Sequence, residues 1–78
     1  MTLETLKEAN QLNHRINELS TMEQIVENML HSDNNLWISD HDSGEVLVSP
    51  EARLDIINTV LGDLREQRDE LEDKLRML

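Results

Sequence analysis

From Ser49 onward one pattern dominates. Leu54, Ile57, Leu61, Leu64, Leu71, Leu75 and Leu78 recur at alternating spacings of three and four, and Arg68 alone breaks the stripe. A run of about three and a half heptads with apolar a and d positions demands a helix whose seam packs on another helix. The start of that helix is equally legible. Ser49 is a good N-cap, Pro50 suits the first helical position, and Glu51 places an acid in the first turn. Glu70 with Lys74 and Glu72 with Arg76 are spaced for i,i+4 pairs. Gly62 lies off the seam and is expected to weaken the helix locally by about 1 kcal/mol.

The N-terminal segment repeats the theme less regularly. Ala9, Leu12, Ile16, Leu19, Val26 and Leu30 share one a/d register, with Glu23 at a seam position and Leu3 and Leu6 extending the face. Thr2 is placed to cap its start. Helices over about 2–31 and 50–78 would each run ~45 Å at ~1.5 Å per residue. Equal lengths joined by a connector over about 32–49 predict an antiparallel helical hairpin, coiled-coil-like and mainly α. An extended coiled-coil dimer without intramolecular pairing is the competing fold.

Folded in that way, the surplus apolar residues converge beside the connector. Met22, Ile25 and Met29 of the first helix come near Ile56 and Val60 of the second, making faces too wide for two helices to cover. A second hairpin would cover them, in a homo-oligomeric bundle. At the far end Arg68 is expected opposite Asn13 or His14, as a polar layer that sets register.

The connector reads as a β-hairpin. Leu36-Trp37-Ile38 and Val46-Leu47-Val48 flank Asp40-His41-Asp42-Ser43-Gly44, with Gly44 available for positive φ. Two strands alone are marginal in water, so the hairpin is expected both to pack on the helices and to pair with another chain, the two copies extending into a four-stranded sheet. Leu36, Trp37, Ile38, Val46 and Val48 thus join Met22, Ile25, Met29, Ile56 and Val60 as interface residues.

Composition narrows what such a chain does. Seventy-eight residues make one domain, spanning 1–78, and bury little surface. No Cys excludes disulfides and thiolate metal sites, so self-assembly is the remaining way to enlarge the core. Seventeen acids against seven bases give a net charge of −10, the wrong sign for tracking phosphates or anionic lipid. Trp37 is the sole aromatic, which is poor for stacking on bases. MTLETLKEANQ has neither the basic nor the apolar region of a signal peptide, so a cytoplasmic location is expected.

The candidate chemical sites are weak. Asp40-x-Asp42-x-Gly44 departs from a calcium loop where the third ligand belongs, and Asp and Gly are what turns prefer. His31, Asp33 and His41 have no spacing that would hold a transition metal, and His31 is better placed to serve the end of its helix. The acids around Leu71 read as a solvated helix face. No catalytic residue, metal ligand or cofactor is therefore assigned. The expected function is that of an acidic homo-oligomeric interaction module, a dimer or tetramer presenting an apolar platform centred on Trp37. The alternative is an inhibitor or sequestering protein that covers a basic nucleic-acid-binding surface or traps a small ligand between subunits.

Overall fold

In a computed structural model describing residues 2–78, the chain forms two helices with a two-stranded antiparallel hairpin between them. Helix α1 spans Leu3–Leu30, strands β1 and β2 span Trp37–Asp40 and Gly44–Leu47, and helix α2 spans Pro50–Arg76. Both helix starts follow from local chemistry. Thr2 Oγ1 accepts the Thr5 N–H at 3.1 Å, and Ser49 Oγ accepts the Ala52 N–H at 3.3 Å with Pro50 in the first turn. Lys74 and Arg76 stand in the last turn of α2, the favourable end for cations.

The helices pack on each other along the two predicted seams, so the extended alternative is not the fold. Leu19, Ile57 and Leu61 form the buried apolar core, with Leu12, Ile16, Val26, Leu30, Leu64, Leu71 and Leu75 half-buried around it. The fourth buried residue is Glu23. Two arginines of α2 reach it: Arg68 Nη1 lies 2.8 Å from Glu23 Oε2, and Arg65 Nε lies 3.5 Å from Oε1. The Arg68 approach is an ion pair but is out of line for a hydrogen bond, so Oε2 accepts none. Arg65 also bonds Glu27 at 2.8 Å.

This triad corrects the expected register. Arg68 does not face Asn13 or His14; its partner lies about 15 Å nearer the connector, at ~1.5 Å per residue. Asn13 is exposed and His14 pairs with Glu18 on its own helix. The physical reason is charge. Glu23 and Arg68 are the only charged residues at seam positions of either helix, and a buried carboxylate without a cation is far costlier than a displaced register. The resulting stagger leaves the helix starts uncovered. Leu3 and Leu6, expected to extend the apolar face of α1, and Leu54, expected in the seam of α2, are exposed. The surface pairs also differ from expectation, with Arg76 on Asp73 and Arg68 near Glu72.

Arg53 fastens the connector end. Its guanidinium donates to the carbonyls of Met29 and, at 2.9 Å, Ser32. The last turn of α1 has no basic residue of its own, so a cation from α2 meets the carbonyl end of that helix dipole. His31, expected in this role, closes the helix through its backbone N–H instead.

Candidate interaction surface

The seam geometry gives the helix pair two unlike sides. In an antiparallel pair, residues that follow the seam positions share one side on both helices, and residues that precede them share the other. The Glu27–Arg65 ion pair bridges the following ridges. On that side α1 presents Asn13, Asn17, Ser20, Gln24, Glu27 and His31, and α2 presents Asp55, Asn58, Gly62, Arg65, Asp69 and Glu72. None of these residues has an apolar side chain. The preceding side carries Met22, Ile25 and Met29 on α1 and Ile56 and Val60 on α2, with Met22, Ile25 and Val60 exposed and Met29 and Ile56 half-buried. Two separate shallow depressions, sharing no residue, lie on the two halves of this apolar platform. One of ≈ 340 Å³ is lined by Ile25, Asn28, Met29, Ser32 and Asn34, and one of ≈ 230 Å³ by Asp55, Ile56, Thr59 and Val60.

The β-hairpin forms as the connector sequence predicts. Trp37 pairs with Leu47, Ile38 with Val46, Ser39 with Glu45 and Asp40 with Gly44. Asp40 shapes the turn, its carboxylate accepting the Asp42 N–H at 3.1 Å and facing the Ser43 hydroxyl at 3.5 Å. Gly44 closes the turn at φ +108°, a conformation that side-chain-bearing residues rarely adopt. The Asp40 carboxylate is thus engaged in the turn, and among the described residues no three metal-ligating side chains converge.

What the hairpin does not do is pack on the helices. Among the described residues no strand Cα comes within 8 Å of a helix Cα, contrary to the expectation that the helices would support it. Trp37, Ile38, Val46 and Leu47 are each 50–65% exposed. The hairpin's root lies nearest the helices: Val48, whose N–H donates to Leu36 O at 2.9 Å, lines an open cleft of ≈ 330 Å³ with Leu30, Pro50, Arg53 and Leu54. The cause is Ser32-Asp33-Asn34-Asn35, four polar residues that lift the strands away from α1 and leave nothing apolar to draw them back.

The sequence-derived interface residues therefore fall in two groups. Met22, Ile25 and Met29 lie on α1 and Ile56 and Val60 on α2, all at positions preceding the seam; Trp37, Ile38 and Val46 stand on the free hairpin, and Leu36 and Val48 sit half-buried at its root. Leu47, expected in the hairpin and found there, and Leu54, expected in the seam, are exposed apolar residues outside that set. No helix of the described residues is long and apolar enough to cross a membrane. No protein-family model, curated protein or solved structure matches the chain.

Proposed function

We propose that this protein is a self-associating interaction module without chemistry of its own, whose working surface is the apolar platform and the hairpin beside it. The observation that carries the reading is the hairpin itself: four large apolar side chains on two strands that no helix supports. An isolated pair of strands is marginal in water, so a partner surface is the remaining source of its stability. Surface area favours a partner of matching size. The chain exposes 6173 Å². A folded protein of 9.1 kDa typically exposes about 4,900 Å², an excess here of roughly 1,300 Å². A stable dimer buries about 800 Å² or more on each partner, so the excess suffices for one.

A second copy is the occupant that matches this surface, because a two-fold interface sets the same exposed apolar groups, Trp37, Ile38 and Ile25 among them, against their own equivalents. The assembly is tested by light scattering over a concentration and salt series, for the wild type and for Trp37→Ala. The wild type is expected to give at least a dimer, tightening as salt screens the repulsion between chains of net charge −10. Trp37→Ala is expected to be monomeric with unchanged helix content. A wild-type monomer at every concentration refutes the reading. Binding to a basic protein that weakens with salt would instead favour an inhibitor acting through its charge.

A further inference from the structure

The geometry points to the outer edge of β1 as the line along which two copies join, centred on Ile38, so that the hairpins form one sheet ordered β2-β1-β1-β2. This rests on the self-association proposed above and specifies how it occurs.

The argument begins with the backbone. The bond from the Val48 N–H to Leu36 O makes Leu36 and Val48 a hydrogen-bonded pair. Such pairs alternate along an antiparallel ladder, so Ile38·Val46 and Asp40·Gly44 are also hydrogen-bonded, while Trp37·Leu47 and Ser39·Glu45 are not. The N–H and C=O groups of the latter pairs point away from the hairpin. The open edge of β1 therefore offers the peptide groups of Trp37 and Ser39, and the open edge of β2 those of Glu45 and Leu47. Only one two-fold register uses both β1 residues and stays within the strand: Trp37 against Ser39 of the second copy, with Ile38 facing its own equivalent. Centring on Trp37 would recruit Asn35, which lies outside the strand, and centring on Ser39 would recruit His41 from the turn.

Side chains choose between the edges. Pairing along β1 lines up Val46, Ile38, Ile38 and Val46 across one face of the joined sheet, an unbroken apolar row. On the other face it sets Trp37 opposite Ser39, both neutral. Pairing along β2 would set Glu45 opposite Leu47 and bring two Glu45 carboxylates to diagonal positions, in a chain that is already strongly acidic. A charged residue in the middle of an exposed strand is a common guard against edge pairing. β2 carries that guard at mid-strand, whereas the one acid of β1, Asp40, stands at the strand end with its carboxylate engaged in the turn.

The test uses the absence of cysteine in the chain. Full-length Ile38→Cys, Val46→Cys and a polar-side control, Asn58→Cys, are placed in a glutathione redox buffer, and formation of the interchain disulfide is timed. Facing Ile38 positions would be about 4.5 Å apart at Cα, inside the roughly 4.4–6.8 Å range a disulfide spans. Val46 positions would be separated by the two β1 strands. Ile38→Cys is expected to cross-link at least about tenfold faster than either other variant, since only its thiols fall within disulfide reach. Ser39→Pro offers a thiol-free check. It removes an N–H that faces outward and is tolerated in the hairpin ladder, yet is expected to weaken association about tenfold or more, whereas Glu45→Pro is expected to leave it within about twofold.

Faster cross-linking of Val46→Cys would move the joint to β2 and overturn the inference. A wild-type dimer in which no cysteine exceeds the control, with both proline variants still dimeric, would mean that the helix platforms alone hold the copies. That also overturns the inference while leaving self-association intact. A monomeric wild type overturns both.

Discussion

The helix pair and the hairpin are held together in opposite ways. Along α1 and α2 the backbone is satisfied within each helix except at the ends, where caps and Arg53 serve it, and the pair is joined by side chains: three buried aliphatic residues and a carboxylate between two guanidiniums. Across β1 and β2 the join is backbone to backbone, and the side chains remain largely in solvent. The helices have thus used their bonding capacity internally, whereas the hairpin keeps both edges and most of its apolar surface unspent. The contrast teaches where a partner acts. A second chain adds apolar cover to the helices, but it adds both cover and hydrogen bonds to the hairpin.

The largest effects are expected in the helix seam. Leu19 is fully buried, and Leu19→Ala is expected to cost about 2–5 kcal/mol, read as a lower Tm by circular dichroism. Because no strand Cα lies within 8 Å of a helix Cα among the described residues, the Trp37 fluorescence transition is expected to stay at its wild-type temperature while the helix transition falls; a Trp37 transition that falls with it would break the comparison.

The buried triad comes next, and its two halves are expected to respond with opposite signs. Arg68→Ala leaves Glu23 with Arg65 alone and is expected to destabilise by about 2–3 kcal/mol, less than the ~3–5 kcal/mol usual for a buried pair because one cation stays. Glu23→Leu fills the seam with an apolar side chain, and Arg68, already 31% exposed on its side chain, extends to water. That change is expected to be neutral or stabilising by up to ~4 kcal/mol in urea denaturation, at the expense of the register. If it destabilises instead, the triad is a source of stability and not only of alignment.

In the hairpin, Gly44→Ala forces a side chain to φ +108° and is expected to cost about 1–3 kcal/mol of local order. Faster amide exchange confined to 37–47 would show it, with helix exchange unchanged. The smallest effect is expected at Gly62. A Cβ there meets open space, so Gly62→Ala is expected to raise Tm slightly, by about 0.5–1 kcal/mol of stability. A drop in dimer affinity with this variant would place the polar side, not the platform, in the interface.

Much of this was readable from residue order. Both helices, both N-caps and the hairpin with its glycine follow from local pattern, since each depends on residues only a few positions apart. The register did not, although its signal was present: one acid in one seam and one base in the other. Matching helices by length hid that pairing, and charge complementarity would have found it. Arg53 was equally hidden, because nothing local links it to carbonyls more than twenty residues earlier. The interface residues were legible as apolar surplus, but their division into a platform and a detached hairpin was not.

What the sequence determined by itself is therefore the set of elements and their apolar faces, because heptad spacing, capping chemistry and turn chemistry act over short stretches of chain. What only the tertiary structure decided is the stagger of the helices and the isolation of the hairpin. The stagger follows from the cost of a buried unpaired carboxylate, which selects Arg68 as the partner of Glu23 whatever the helix lengths. The isolation follows from four polar residues between α1 and β1, which hold the strands clear and leave their apolar faces and free edges to another chain.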